Sequence, residues 1–200
     1  INNLDTRYFY NIHDKIYPAS TTKILTALVA LENASLTDMV TVSKNACSTT
    51  FAWDEQTCGI KEGDTITLED LLYGLLLYSG NDTAVAIAEH VGGSVEHFAE
   101  MMNVKAKELM ATNSHFTNPS GLYDDDHYTT AYDLYLIFNE CIKNDKFVEI
   151  INADSHTAEL VKSDSTKVTL KWEPTNYYAL GEAKAPEDVT IIGGKTGTLD

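Results

Sequence analysis

Residues 20–32 read STTKILTALVALE, a stretch without glycine or proline that is apolar on nearly every side. A helix with no polar face has no side to give to water, so it must lie inside, enclosed by other elements. That segment demands a chain large enough to surround it. The 200 residues, 44% of them hydrophobic, supply a globular chain, read here as a single domain. A second greasy stretch, Leu71 to Tyr78, repeats the demand and falls far short of the roughly 20 residues a bilayer needs.

The segments that must enclose these helices carry their own punctuation. Thr67 opens T-L-E-D, a capping-box-like start to the Leu-rich helix, which halts at Ser79-Gly80-Asn81-Asp82, a turn composition. Thr83–Val91 follows and is closed by Gly92-Gly93. Ser94 caps a helix through about Ala111 whose Val95, Phe98, Met101, Met102 and Leu109 recur at core spacing. Asn118-Pro119-Ser120-Gly121 is a loop, and Thr130, with Asp133 three residues on, starts a helix through about Lys143. The period then changes. Residues 155–161 and 166–172 alternate in steps of two around Ser163-Asp164-Ser165, a hairpin pattern. Residues 39–43 read as a short strand, and 1–17 as strand and turn ending at Pro18. Val189–Ile192 reads as a strand that leads through Gly193-Gly194 into Lys195-Thr196-Gly197-Thr198. The expected class is α+β: a helical block over about 20–145 beside an antiparallel sheet from 1–17 and about 155–200.

Charge excludes whole classes of partner. Fourteen Lys and Arg stand against 30 Asp and Glu, a net charge of −16. Grip on nucleic acid or on anionic lipid requires clustered cations, so neither is expected. The three cysteines, Cys47, Cys58 and Cys141, lack ligand spacing and read as unpaired thiols, a Cys47–Cys58 bridge being the one candidate pairing. No metal is expected. Asp124-Asp125-Asp126 lacks the alternating ligands and glycine of a calcium loop and reads as a solvated acidic loop.

Three short motifs carry chemistry. In Ser20-Thr21-Thr22-Lys23, the serine and lysine stand one helical turn apart on one face. A serine hydroxyl attacks only when a base takes its proton, and lysine serves as that base when burial lowers its pKa; alternatively Ser20 merely caps the helix and Lys23 snorkels to water. Ser79-Gly80-Asn81 lies between two helices, where a hydroxyl would pass a proton and an amide would hold a carbonyl; alternatively it is an ordinary turn. Ser43-Lys44-Asn45 has the same S-x-N form without the enclosing helices. Lys195-Thr196-Gly197 offers a cation, a hydroxyl and a close approach to backbone, fit for a substrate carboxylate; alternatively Lys195 protects an edge strand.

Taken in this order, S-x-x-K, S-x-N and K-T-G are the motif set of penicillin-binding proteins and serine β-lactamases. The chain resembles the low-molecular-mass D-alanyl-D-alanine carboxypeptidases in particular, over almost its whole length. The likeness extends through PASTTKILTALVALE, LLYGLLLYSGNDTAVAIAEHVGG, HFTNPSGL, HYTTAYDL and GGKTGT. The resemblance implies the serine β-lactamase/DD-peptidase fold and a cleft between helices and sheet. It implies Ser20 as nucleophile, Lys23 as its base and Ser79 as proton relay. Asn81 would hold the acyl-side amide, and Lys195 and Thr196 the terminal carboxylate. Gly197 completes that motif, and the backbone N–H groups of Ser20 and Thr198 would form the oxyanion hole. The implied substrate is a peptidoglycan stem peptide ending in D-Ala-D-Ala, with β-lactams as acylating mimics, no cofactor, and a place in the bacterial cell envelope outside the cytoplasm.

Two alternatives share these motifs. A serine β-lactamase of the better-known type would add a Glu-x-x-Leu-Asn loop after S-x-N, and none lies between Asn81 and Lys195. A non-catalytic β-lactam sensor would be acylated without turnover. In the family fold further strands and a terminal helix follow K-T-G, so the 200 residues are expected to be a domain cut short at both ends.

Overall fold

The computed structural model describes residues 10–198. The buried helix is there: α1, Lys23–Asn33, has every residue from Lys23 to Ala30 buried. Around it pack α2 (Leu68–Leu76), α3 (Asn81–Gly92), α4 (Val95–Glu108) and α5 (Ala131–Cys141), so only its last turn, with Glu32 and Asn33, is left to water. A sixth helix, α6 (Asp145–Ile151), lies against α2 and was not expected. The anticipated stops and starts are real. Thr67 Oγ1, Ser94 Oγ and Thr130 Oγ1 each accept the N–H three residues on, at 3.0, 3.1 and 3.0 Å, and Gly93 ends α3 with φ +78°.

The sheet is antiparallel throughout, in the order β1-β2-β3-β4, from β1 (Met39–Thr41), β2 (Thr65–Thr67), β3 (His156–Val161) and β4 (Lys167–Trp172). The hairpin β3–β4 pairs His156 with Trp172 and Val161 with Lys167. Ala158 and Leu160 turn inward and their neighbours outward, the alternation expected of a sheet with one face on the core. Two of its strands thus come from inside the stretch expected to be helical. β2 is only three residues long, immediately before the Thr67 cap, and the helix signal that follows it masks it.

Two expected strands are not seen among the described residues. Residues 10–17 contribute a single bridge, Ile16 to Thr129, before Pro18, which has no N–H to continue a ladder; the rest of the expected 1–17 strand lies outside the described residues. Residues 189–198 are not a strand. Their apolar β-branched run finds no ladder, since no N–H from 190 to 198 enters a backbone hydrogen bond among the described residues. This segment is held by side chains and by close packing instead.

All three cysteines are buried and free, with no Cys47–Cys58 bridge. The acidic triplet folds on itself: Asp124 Oδ1 accepts the Asp126 N–H, and Asp125 Oδ1 the Tyr123 hydroxyl. No helix among the described residues is long and apolar enough to cross a membrane.

Candidate active site

Ser20 sits in a 3-10 turn, Ala19–Thr22, and not in the α-helix proper. Residues three apart eclipse in a 3-10 turn, which stacks Lys23 over Ser20 with Nζ 3.0 Å from Oγ. Ala19, just before, is held in the left-handed region at φ +48°. A non-glycine residue there stores roughly 1–3 kcal/mol of strain. Gly121 packs so closely on this turn, itself at φ +89°, that a methyl group added to it would run into the Ala19 carbonyl.

Lys23 is fully buried, with no carboxylate paired to it among the described residues. Besides Ser20, its Nζ faces Asn81 Oδ1 at 2.8 Å and the Ser120 carbonyl at 2.7 Å. Burial first, and then the charge of Lys195, hold its pKa well below the ordinary lysine value. A neutral amine has two N–H donors and one lone pair. Asn81 Oδ1 and the Ser120 carbonyl only accept, so they take both donors and the lone pair is left facing the Ser20 hydroxyl.

Ser79 occupies the corner between α2 and α3, with φ +68°. The corner is fixed by Gly80 N–H to the Gly74 carbonyl at 3.0 Å and Asn81 N–H to the Gln56 carbonyl at 2.8 Å. Beneath it the buried Asp82 carboxylate accepts N–H groups of Cys58, Gly59, Ile60 and Thr83, at 2.8 to 3.3 Å, and ties residues 58–60 to the start of α3. The rival Ser43-Lys44-Asn45 is a surface turn: Ser43 Oγ accepts Ala46 N–H, and Asn45 donates to Glu89.

Across the cleft lie residues 195–198. Lys195 Nζ donates to Ser79 Oγ at 2.9 Å and to the Thr196 carbonyl at 2.7 Å. Burial of the amine brings its pKa down to about 7. Thr196 Oγ1 lies 2.6 Å from Thr175 Oγ1. A Cβ at Gly197 would stand 3.1–3.2 Å from Thr21 and the Pro18 carbonyl, so a side chain here would press on the Ser20 turn. The space enclosed is a cleft of about 1140 Å³ lined by Ser20, Ser79, Asn81, Thr196, Gly197 and Thr198. Lys23 and Lys195 reach it through their hydrogen bonds, so the eight residues expected from sequence meet in one place. The N–H groups of Ser20 and Thr198 make no hydrogen bond among the described residues, which leaves two donors at the cleft.

Sequence reasoning passed over other lining residues: Tyr17, Tyr123, Thr175 and Ser120. Tyr17 and Tyr123 pack with ring centroids 5.0 Å apart. Only the N-P-S-G turn signal pointed at Ser120, and nothing in the local pattern pointed at Thr175.

A buried amine on a serine, a second lysine on a second serine, and two N–H donors at a cleft are the groups that serine acyl transfer would require. A sequence model described as D-alanyl-D-alanine carboxypeptidase matches residues 7–200, and the chain belongs to that peptidase family. It is 37% identical over 141 residues to D-alanyl-D-alanine carboxypeptidase DacF of Bacillus subtilis, covering 68% of this chain and 35% of the relative. It is 33% identical to a D-alanyl-D-alanine carboxypeptidase of Streptomyces sp. (strain K15), covering 90% of this chain and 62% of that one. The chain thus spans only part of the length of these curated relatives. Among solved structures, the Streptomyces K15 DD-transpeptidase superposes with a TM-score of 0.86 at 32% identity, covering 96% of this chain and 74% of that chain. A D-alanyl-D-alanine carboxypeptidase from Mycobacterium tuberculosis gives 0.80 at 32%, covering 95% and 67%. The fold is that of the DD-peptidases.

Proposed function

We propose that this chain carries the site of a serine D-alanyl-D-alanine carboxypeptidase that trims peptidoglycan stem peptides in the bacterial cell envelope. The observation that carries this reading is the amine of Lys23, buried with no carboxylate paired to it among the described residues and within hydrogen-bond reach of Ser20 Oγ, Asn81 Oδ1 and the Ser120 carbonyl. Ser20 Oγ attacks the carbonyl between the two terminal D-alanines while Lys23 Nζ takes its proton. The N–H groups of Ser20 and Thr198 receive the oxyanion. Asn81 holds the acyl-side amide, and Lys195 with Thr196 holds the terminal carboxylate, alongside Gly197. As the C–N bond breaks, Ser79 Oγ delivers a proton to the leaving amine and takes back the proton that Lys23 removed from Ser20, which leaves Lys23 neutral for the water step. Water then opens the Ser20 ester, releasing the shortened peptide and restoring the serine. β-Lactams present the same carbonyl and carboxylate and acylate Ser20.

One assay separates this reading from its alternatives. The protein is incubated with a peptide ending in D-Ala-D-Ala and, separately, with a fluorescent penicillin. Release of free D-alanine is the expected result. Rapid hydrolysis of the penicillin indicates a β-lactamase, and stable labelling without D-alanine a sensor. Ser20→Ala is expected to abolish labelling, and labelling that persists overturns the nucleophile assignment.

A further inference from the structure

His127 is buried, and no part of the proposed reaction uses it directly. Its Nδ1 accepts the Thr117 N–H at 3.0 Å. That nitrogen is therefore the unprotonated one, and the hydrogen of the neutral ring sits on Nε2, 2.8 Å from Thr22 Oγ1. Phe116 meets the ring edge-on at 5.5 Å between centroids. The ring thus links two pieces of chain. Thr22 closes the turn that holds Ser20 and is bonded directly to Lys23 in sequence. Thr117 opens the loop 117–121, where Asn118 Oδ1 gathers the N–H groups of Ser120 and Gly121 at 3.2 and 2.8 Å. The carbonyl this loop presents, Ser120, is one of the two acceptors that commit the Lys23 donors.

We propose that His127 is a positioning residue: as a neutral imidazole it fixes the Ser20–Lys23 turn against the loop of Ser120, and so keeps the Lys23 lone pair aimed at Ser20. This rests on the function proposed above. A charged ring would have to give up Nδ1 as an acceptor and would release the loop. Burial guards against that by bringing the ring's pKa down to about 4. Of the groups around it, Asp124 favours the charged ring and His115 disfavours it, while α1 brings Lys23, one residue from Thr22.

The test follows the ionisation of Lys23 directly, by the 13Cε shift of lysine-labelled protein, with Lys23→Arg to assign the signal. His127→Phe keeps the ring's bulk and loses the hydrogen bonds to Thr22 and Thr117; Thr22→Val keeps the imidazole and loses only the first. Both are expected to let water reach Nζ and raise the Lys23 midpoint by about one unit, with penicillin acylation of Ser20 slowed about tenfold at neutral pH. His127→Gln offers one donor and one acceptor and is expected to bring both readings back to within roughly threefold of the native protein. A Lys23 midpoint unmoved in Thr22→Val, or a Gln variant no better than Phe while both melt as folded proteins, overturns the proposal. The midpoint needs no substrate. A native protein that penicillin never labels therefore refutes the proposed function, while the Lys23 midpoint still decides the role of His127.

Discussion

Lys195 Nζ lies 2.9 Å from Ser79 Oγ, joining a segment near the chain's end to the corner between α2 and α3. In the proposed reaction the two lysines of the site have opposite duties. Lys23 acts as a base only when neutral, and Lys195 holds a carboxylate only when charged. kcat/KM is expected to be bell-shaped, rising with pH as Lys23 sheds its proton and falling as Lys195 loses its own near pH 7. A seated carboxylate favours the charged form of Lys195, so the basic limb of kcat lies above that of kcat/KM. Lys195→Arg, which does not titrate in this range, is expected to remove the basic limb from kcat/KM. A basic limb that stays in place in that variant contradicts the assignment. Stability follows the same shift. Between about pH 7 and the ordinary lysine value of 10.5 the unfolded chain binds the proton that the native chain has lost. Stability therefore rises with pH across that window, and urea unfolding at a series of pH values measures it.

Lys23 predicts the reverse response to the same substitution. Arginine cannot give up its proton, and at position 23 its charge would lie fully buried where no carboxylate pairs with the native lysine among the described residues. Lys23→Arg is expected to cut penicillin acylation about 10²–10⁴-fold, the usual worth of a positioned base. It should also lower the midpoint of urea unfolding. If both lysines tolerate arginine equally, the neutral-base reading of Lys23 is wrong.

Gly121 tests the packing that shapes the Ser20 turn. With φ +89° and the Ala19 carbonyl in the place a Cβ would fill, Gly121→Ala must move one segment or the other. The strain at such a position costs roughly 1–3 kcal/mol, and displacing the loop also disturbs the Ser120 carbonyl that Lys23 donates to. A lowered melting temperature together with slowed acylation is expected. A variant that melts like the native protein would show that the contact is not a constraint.

What was legible in the sequence was whatever local chemistry decides. Residues 20–32 announced a buried helix because every side was apolar. Thr67, Ser94 and Thr130 announced helix starts because a hydroxyl there reaches the third N–H beyond it. The eight motif residues were legible as a set because their order and contexts matched a known pattern. What was not legible depended on partners far along the chain. Val189–Ile192 has strand composition and no ladder. β2 is strand only because β1 and β3 flank it. His127 matters because Thr22, 105 residues away, happens to face it. The 3-10 form of the Ser20 turn has no sequence signal either; Gly121 and Gly197 crowd it from two sides.

Thr175 belongs to the same class of long-range partners, and its hydroxyl invites a substrate test. Its Oγ1 meets Thr196 Oγ1 at 2.6 Å, both residues line the cleft, and its N–H is fastened to the Leu77 carbonyl at 3.2 Å, just before Ser79. A carboxylate held by Lys195 and Thr196 would thus find its hydroxyl donor already oriented by Thr175. Thr175→Val keeps the shape and removes that partner. The hydroxyl–hydroxyl bond it removes is worth about 0.5–1.5 kcal/mol, so KM for a D-Ala-D-Ala peptide is expected to rise by roughly two- to tenfold, with kcat changing less. The same peptide ending in a carboxamide has no anion to bind, and native and variant proteins should handle it alike. An equal penalty on acid and amide would mean that Thr175 merely supports the segment around it.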